Sequence, residues 1–415
     1  MAQLTDDCFA FGGPLLSVEQ AAALIAERVP ALSQAETVPL AAAAGRVLGV
    51  SLVAPNALPP FDNSAVDGFA FAHASLALAG STRLPVVARV AAGELAEPLP
   101  PGTAARVFTG APMPEGADTV VMQEDTAVDA TGVLVPPGLK QGANARAAGE
   151  DVPLGAIALV AGRRLGPAEV ALAAALGFAR LPVTRAVRVG VFSTGDELAE
   201  PGTALRPAHT FDSNRFMLLA LLARLPVEAT DLGILPDRAE ATIAALTAAA
   251  GTHDLLLTTG GVSTGEEDHV RAAIEGAGSL VFWRLAVKPG RPAAMGVVGG
   301  TPVVGLPGNP VAAIVTFLHL ARPLVLRLAG AEAKPLLRLP AVASFACRKK
   351  EGRREYLRVS LREEGAQLVA TRFAREGAGL LTSLTESDGF AELPEEVTAV
   401  APGDALRVLP FAALF

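Results

Sequence analysis

The sequence predicts a multidomain α/β protein. At its centre is a doubly wound, mostly parallel α/β domain, accompanied by an N-terminal helical/β domain, an inserted β-rich domain and a small C-terminal β-barrel. Three patterns lead to this prediction: strands alternate with helices over residues 187–330, Pro and Gly punctuate short β-like runs over 55–151, and turns separate short strands over 331–415. Residues 1–54 plus 152–186 would form the N-terminal domain.

Length and composition favour a globular protein. The chain has 415 residues, 51% of them hydrophobic, so it can bury large cores and long disorder is not expected. Its net charge of −8 and pI near 5.3 argue against a nucleic-acid partner, because such proteins usually carry a basic stripe. Cys8 and Cys347 form no CxxC pair and the histidines show no HxxxH spacing, so neither zinc nor a disulfide framework is predicted.

Two segments could be a targeting signal or a membrane span. Residues 1–13 are acidic where a signal peptide would be basic. Residues 311–328 are apolar but include His319, Arg322 and Arg327, which favours a helix packed against a sheet. We therefore expect a cytoplasmic protein that does not contact a membrane.

The first 186 residues resemble one domain interrupted by another. Ser17 precedes an Ala-rich run typical of a capped helix, and helix-like sequence returns after residue 156. The intervening β-rich segment carries two polar loops, residues 59–71 and 108–125. In the first loop, Asp62-Asn63-Ser64 is either an Asx turn or part of a functional site, and the residues alone favour the turn.

Residues 187–330 show the clearest alternation. The predicted strands lie in VRVGVFSTGDEL, VEATDLGIL, DLLLTTGG, LVFWRLAVK and TPVVGLPG, and the predicted helices lie in DSNRFMLLALLARL, DRAEATIAALTAAA, EDHVRAAIEGAG and the segment opened by Asn309-Pro310. Asp212 or Ser213 would cap the first helix, and Asp237 with Glu240 would form a capping box on the second. Because ligands bind beyond the carboxyl ends of such strands, STGDEL, ILPD, TTGGVSTGEED and LPGNP should gather at one edge.

The turn after the strand at Leu255–Leu257 is suited to an anion. Gly260 and Gly261 permit a tight turn and close approach to a ligand, and Ser263 adds a hydroxyl. Three acidic residues, 266–268, follow where a helix begins, and they could join a metal ion. The spacing matches neither GxxxxGK[ST] nor GxGxxG, so a P-loop NTPase or a nicotinamide dehydrogenase is not favoured.

Three carboxylates follow the ends of predicted strands. Any one of Glu197, Asp237 and Asp268 could be a helix cap, as such residues usually are. Three of them beside a Gly-Gly turn favour a site for Mg²⁺ and phosphate oxygens.

Lys288 is the candidate positive charge. It lies next to Pro-Gly at the end of an apolar strand, between Arg284 and Arg291, and is either a chance surface lysine or a contact for a second anion. His253 and His269 bracket the glycine turn and could act as acid or base, although packing or capping is the favoured interpretation.

Eight motifs follow one another along the chain: FDNSAVDGFA, TGAPMPEGADTVVMQE, GEDVPLGA, FSTGDEL, FDSNR, TTGGVSTGEEDH, FWRLAVKPGRP and GLPGNPVAA. In this order they resemble the molybdopterin molybdenumtransferases, the MoeA family that includes the E domain of gephyrin. The resemblance spans essentially the whole chain, and it implies that the central domain is MogA-like. The TTGGVSTGEED loop alone would also suit a molybdopterin adenylyltransferase, but that enzyme is a single small domain.

The resemblance implies a Mg²⁺-dependent molybdenum insertase. Such an enzyme converts adenylylated molybdopterin and molybdate to molybdenum-bearing molybdopterin and releases AMP. The implied catalytic residues are Asp62, Thr109, Asp151, Glu197, Asp237, Asp268 and Lys288, and the implied metal ligands are Glu197, Asp237 and Asp268. The implied cofactor-binding residues are Ser193, Thr194, Gly195, Thr259, Gly260, Gly261, Ser263, Gly265, Arg284, Arg291, Pro292, Pro307, Pro310 and Arg358.

The resemblance also implies partners. In the family, Asp62, Thr109 and Asp151 match positions that reach the active site of the other subunit in an elongated homodimer. A MogA-type adenylyltransferase and molybdoenzyme apoproteins would be further partners. A non-catalytic molybdopterin-binding or scaffold protein, as in gephyrin, is the alternative from another functional class.

Four positions depart from the family pattern. Arg284 and Arg291 stand where lysine is common, which keeps the charge but changes its geometry. Ala312 and Ala378 stand where serine is frequent, which removes two hydroxyls from the implied molybdate pocket.

Overall fold

The computed structural model describes residues 15–236, 238–261, 269–290 and 292–414. Helix α1 (Val18–Arg28) begins at a capping box, in which Ser17 Oγ accepts from the Gln20 N–H at 3.1 Å and Gln20 Oε1 accepts from the Ser17 N–H at 2.9 Å. Three strands follow: β1 (Ala35–Pro39), β2 (Val47–Leu48) and β3 (Leu52–Val53).

The inserted region is rich in short strands, as predicted. They are β4 (Asn63–Ser64), β5 (Gly68–Phe71), β6 (Thr82–Leu84), β7 (Val86–Val90), β8 (Ala104–Val107), β9 (Thr119–Met122), β10 (Ala127–Asp129), β11 (Gly132–Val135) and β12 (Ala145–Arg146). Strands β7-β8-β5-β9 form one sheet and β10-β11-β6 another. Strands β6 and β7 belong to different sheets because Pro85, which separates them, has no N–H to donate to a strand.

The chain then returns to the first segment through β13 (Ile157–Leu159), α2 (Pro167–Ala175) and β14 (Arg180–Thr184). Strand β14 lies between β1 and β2, and β13 pairs with β3. Strands from both sides of the inserted region therefore share sheets. In contrast, the buried face of α1, with Ala21 and Ile25, joins the core of the central domain.

The central domain runs from β15 to α7. Its elements are β15 (Val187–Thr194), β16 (Leu198–Ala199), β17 (Thr210–Phe211), α3 (Asn214–Leu222), β18 (Val227–Leu235), α4 (Ala239–Ala250), β19 (Leu255–Thr259), α5 (His269–Ala277), β20 (Gly278–Arg284), β21 (Val287–Lys288), β22 (Pro292–Val298), β23 (Thr301–Leu306), α6 (Pro310–Thr316), a π-helical turn (Phe317–Ala321) and α7 (Arg322–Leu328). The main sheet has the order β18-β15-β19-β23-β22-β20. Neighbours from β18 to β23 are parallel, whereas β22 and β20 are antiparallel additions.

Apolar residues cover both faces of this sheet. Leu255 and Leu257 belong to one core cluster, whereas Leu256 belongs to the cluster on the other side. This explains the continuous apolar run, since a strand buried on both faces needs no polar alternation. The doubly wound, mostly parallel prediction is confirmed, but strand β22 was missed.

The structure confirms the expectation that the apolar segment near residue 320 packs inside the protein. The helix over residues 310–328 is long and apolar enough to cross a membrane by length and composition alone, and 78% of its most apolar window is buried within the fold. It begins after Asn309 as N-cap with Pro310 in the first turn, as predicted, although the Asn309 side chain makes no capping hydrogen bond.

The last region contains the predicted barrel. Its elements are β24 (Leu339–Ala343), β25 (Cys347–Arg348), β26 (Arg354–Glu364), β27 (Gln367–Arg372), α8 (Thr382–Thr385), β28 (Gly389–Leu393), β29 (Ala399–Val400), β30 (Ala405–Pro410) and α9 (Phe411–Leu414). The order β26-β27-β24-β30-β28 closes because β28 pairs again with β26. Strand β28 was not predicted. Strand β21 of the central domain pairs with β26, which fixes the barrel against the main sheet.

Candidate functional site

The carboxyl ends of four parallel strands meet at one edge of the central sheet. Thr194 pairs with Leu235, Ser193 with Thr259, and Thr259 with Leu306. The turns that follow these strands therefore gather there, as the alternation of strands and helices predicted.

Glycines allow the turns at this edge to approach one another. A Cβ on Gly260 (φ 92°) would lie 2.4 Å from the Thr194 carbonyl oxygen, and one on Gly261 (φ 61°) would lie 2.7 Å from a Val270 methyl group. A Cβ on Gly195 would lie 2.5 Å from Oε2 of Glu197. The Glu197 carboxylate is thus folded over Gly195 at the sheet edge.

Asn214 joins three of these turns, and sequence reasoning missed it. Its Nδ2 donates to Thr259 Oγ1 at 2.9 Å and to the Gly308 carbonyl at 2.8 Å, while Thr259 Oγ1 donates to the Pro307 carbonyl at 3.3 Å. The sequence feature that could have identified Asn214 is its position in the FDSNR motif, directly after a predicted helix cap.

Three buried oxygens at this edge have no hydrogen-bond partner within the described part of the chain. They are Ser193 Oγ, Thr194 Oγ1 and Asn214 Oδ1. Because buried polar groups normally have partners, these atoms are suited to contacts with the turn after Gly261 or with a polar ligand.

Arg215 holds the short segment that follows Glu197, in which β16 pairs with β17 in parallel. Its Nη2 donates to both carboxylate oxygens of Glu200 at 2.7 and 2.6 Å, its Nε donates to Asp212 at 2.9 Å, and Nη1 pairs with Asp231. Burial opposes the charge, but Glu200 and Asp212 raise the pKa of Arg215 above its usual value. Asp212 Oδ1 also accepts from the Arg215 N–H, which supports the predicted role of Asp212 at the start of α3.

The loops of the inserted region make local contacts. Asp62 Oδ1 accepts from the Ala148 N–H at 2.7 Å, and Asp67 Oδ1 accepts from both the N–H and the hydroxyl of Thr109 at 2.8 Å. The two Thr109 bonds lower the pKa of Asp67. Asp151 is exposed, and its N–H donates to Leu58. These contacts are structural, and none of them tests a role in another subunit's site.

The barrel and β21 enclose a second, cationic part of the site. A cavity of about 350 Å³ is lined by Lys288, Arg348, Arg358, Arg372 and Arg375, together with Glu355, Glu376 and Ala378. Lys288 Nζ lies 3.1 Å from Oε2 of the buried Glu355, and its own side chain is 54% exposed. This excess of cations over carboxylates favours an anion, and the neighbouring Glu355 was not predicted from the sequence.

Arg358 is the buried cation of this cavity. Its Nη2 donates to the carbonyls of Arg375 at 3.3 Å and Gly377 at 3.1 Å, while its Nε is buried without a partner among the described residues. Burial, followed by the charge of Arg372, lowers the pKa of Arg358. The guanidinium is therefore held by neutral carbonyls, and Glu376 offsets its charge only in part.

The LPGNP turn connects the sheet edge to the cationic cavity. Gly308 accepts from Asn214 on one side, and on the other the Val311 N–H donates to the Ala378 carbonyl at 3.0 Å. Pro307 and Pro310 therefore lie between the two parts, which this turn links through hydrogen bonds.

Several predicted positions cannot be placed. Asp237, Ser263, Gly265, Asp268 and Arg291 lie outside the described residues. For Arg284 and Pro292 only the backbone is described, and the two residues pair across β20 and β22. Helix α4 begins after Arg238 as N-cap, so the proposed capping box at Asp237 also falls outside.

The three-carboxylate metal site therefore remains a prediction. In residues 15–236, 238–261, 269–290 and 292–414, no group of three or more His, Cys, Asp or Glu side chains could hold a metal ion. His253 is buried, with Nδ1 3.0 Å from the Ala249 carbonyl, which agrees with the packing interpretation.

Three family profiles match successive parts of the chain. Residues 16–177 match the family profile described as MoeA N-terminal region (domain I and II), residues 190–327 match the probable molybdopterin binding domain, and residues 340–411 match the MoeA C-terminal region (domain IV).

Similar proteins cover nearly the full length. A molybdopterin molybdenumtransferase of Haemophilus influenzae is 37% identical and covers 96% of this chain and 99% of its own. Molybdopterin molybdenumtransferase 2 of Mycobacterium tuberculosis is 36% identical over 94% of this chain and 98% of its own. The solved moeA protein of Pyrococcus horikoshii OT3 is 29% identical, with a TM-score of 0.80 over 95% of this chain and 99% of its own.

Proposed function

Because this chain belongs to the MoeA family of molybdopterin molybdenumtransferases, we propose that its sheet edge and barrel cavity together carry out molybdenum insertion. The protein acts in molybdenum cofactor biosynthesis as a transferase whose substrates are molybdopterin and molybdate. The observation that carries the proposal is the pair of hydrogen bonds by which the LPGNP turn is linked to Asn214 on one side and to Ala378 on the other. It allows a pterin phosphate and an oxyanion to be bound side by side.

Adenylylated molybdopterin binds at the sheet edge in this proposal. The Gly260-Gly261 turn and Ser263 bind the pterin phosphate, and Thr194 and Thr259 contribute hydroxyls beside them. Asn214 acts through Thr259 and Gly308, so it positions the turns rather than the substrate.

Molybdate binds in the barrel cavity, where Lys288 and Arg358 supply the positive charge. Glu355 holds Lys288 at the mouth of the cavity, and carbonyls hold Arg358 inside it. The family resemblance implies that Arg284, Arg291 and Pro292 also contribute to molybdate binding. Ala312 and Ala378 offer no hydroxyl, so charge and backbone groups must carry molybdate recognition.

We propose that a magnesium ion binds at this edge. Of the three proposed ligands, Glu197 is described, and its carboxylate lies over Gly195 beside the phosphate-binding turn. Bound by Glu197, Asp237 and Asp268, Mg²⁺ would polarise the phosphoanhydride that is cleaved when AMP leaves. Lys288 would neutralise negative charge as the pyrophosphate and molybdate come together, so positioning and electrostatics account for most of the catalysis.

We also propose that the active unit is a homodimer in which Asp62, Thr109 and Asp151 complete the partner's site. An exposed apolar pair supports an interface: Val53 and Ile157 face each other across β3 and β13, and they are 52% and 62% exposed. We further propose that the protein works in the cytoplasm. Its protein partners there would be an adenylyltransferase, which supplies adenylylated molybdopterin, and molybdoenzyme apoproteins, which receive the molybdenum-bearing cofactor.

Subunit mixing tests the shared site. Asp62→Asn and Lys288→Ala would each be inactive alone, because every site in either homodimer lacks one group. Random exchange at equal amounts should restore about a quarter of wild-type AMP release, since half the dimers would contain one intact site. Light scattering checks that dimers form, and an exchanged mixture that stays inactive would contradict the shared site.

A further inference from the structure

A second arginine pocket lies at the opposite edge of the central sheet. Its floor includes Ala186, which precedes β15, and Pro226, which precedes β18. The pocket has a volume of about 300 Å³. The proposed insertion site lies at the far, carboxyl ends of these same strands, so the two sites are separate.

Arginines dominate this pocket. Arg46 and Arg164 enter it from the segments on either side of the inserted region, and Arg224 enters from the end of α3. Glu228 is the carboxylate in the lining, and Glu36 pairs with Arg46 from outside it. Two arginines from one part of the chain therefore face a third from the central domain.

The charges in the pocket repel one another. Burial and then the charge of Arg224 lower the pKa of Arg164, and burial and then the charge of Arg164 lower the pKa of Arg322 behind it. No carboxylate contributes to either shift. Arg46 is half-buried and Arg164 and Arg224 are exposed, and such a cluster of like charges favours binding of an anion that offsets them.

Backbone carbonyls hold Arg46 and Arg164 in place, and of the three pocket arginines only Arg46 pairs with a carboxylate among the described residues, that of Glu36. Arg164 donates to the carbonyls of Arg224 and Gly45, and Arg46 donates to the carbonyl of Thr184 at 3.0 Å. The Nε of Arg46 is buried and has no partner among the described residues. The Arg224 side chain likewise makes no hydrogen bond or ion pair within the described ranges, so its donors are available.

We propose that Arg46, Arg164 and Arg224 form a binding site for a phosphate group at the junction between the N-terminal segments and the central domain. A tetrahedral oxyanion accepts hydrogen bonds from several guanidinium groups at once, which suits three arginines converging on a small cavity. Because those arginines come from both parts of the junction, a bound phosphate stabilises the junction.

Hydrogen exchange with inorganic phosphate as the probe tests this site in the full-length protein. In low salt, saturable phosphate binding should protect the backbone around residues 44–46 and 223–228, and the apparent Kd should rise about tenfold or more in Arg224→Ala and in Arg164→Gln. Arg362→Ala, which removes an exposed arginine of the barrel, is the charge-matched control and should bind as the wild type does. Arg224→Ala should keep normal AMP release.

A second arm of the experiment identifies the source of the phosphate group. Protection by AMP at concentrations far below those of inorganic phosphate would assign the site to a nucleotide phosphate, whereas equal or weaker protection by AMP would assign it to the free anion. Either result supports the site. Phosphate protection confined to the barrel cavity, or a Kd unchanged in Arg224→Ala and Arg164→Gln, would overturn the proposal.

Discussion

Replacing Arg215 by methionine should destabilise the protein chiefly through Asp212. The side chains of Arg215 and Asp212 are 3% and 2% exposed, so the substitution leaves a buried carboxylate without its cation. Breaking such a pair costs about 3–5 kcal/mol. Glu200 and Asp231 are 46% and 41% exposed, and losing each of these pairs adds at most about 1 kcal/mol.

Urea denaturation of Arg215→Met should therefore show a free energy of unfolding lower by about 3–5 kcal/mol. The double variant Asp212→Asn/Arg215→Met should recover much of this loss, because asparagine removes the buried charge yet still accepts from the backbone N–H of residue 215. Both variants should lose AMP release, since Glu200 no longer holds the β16 segment that follows Glu197. An unfolding free energy of Arg215→Met within about 1 kcal/mol of wild type, or no recovery in the double variant, would refute this reasoning.

Three further predictions concern the sheet edge and the core. Gly260→Ala should lose AMP release and about 2 kcal/mol or more of unfolding free energy, because the added Cβ would meet the Thr194 carbonyl. The control is Gly403→Ala, at φ 95° with no neighbour within 4 Å, which should lose only the free energy that corresponds to backbone strain. Asn214→Ala should lower kcat/KM about tenfold or more by releasing Thr259 and Gly308, and unchanged kinetics would contradict its positioning role. Burial lowers the pKa of His319 from 6.5 to about 4 in the folded protein. The stability that depends on neutral His319 is therefore fully present above pH 6.5, and about 3 kcal/mol of unfolding free energy is lost as the pH falls towards 4. In denaturant titrations, the unfolding free energy of His319→Met should change less over that pH range than that of the wild type.

Local signals in the sequence predicted much of the fold. The Ser17 capping box and the apolar strand at Leu255 depend on neighbours a few residues away, and the structure confirms both. Strands β22 and β28 were missed because PAAMGVVGG and GFAEL are short or rich in small residues, and their strand form depends on pairing with β23 and with β26 and β30.

The candidate site was predictable only in part. The alternation of strands and helices predicted the turns at the sheet edge. Arg358 was identified only through the family resemblance, and its position beside Lys288 depends on closure of the barrel. Asn214 and Glu355 act through residues far away in sequence, at Gly308 and Lys288. Contacts of that kind leave no local pattern in a single sequence.

AMP release from adenylylated molybdopterin in the presence of molybdate tests the central claim most directly. The wild-type protein and Lys334→Ala, a variant of an exposed lysine away from the cavity, should both release AMP and yield molybdenum-bearing molybdopterin. Lys288→Ala should bind the pterin yet release AMP at background level, and because the substitution leaves the buried Glu355 carboxylate without its cation, urea denaturation checks that the variant is folded under the assay conditions. Wild-type protein that binds adenylylated molybdopterin but releases no AMP above background would contradict the account and favour a scaffold.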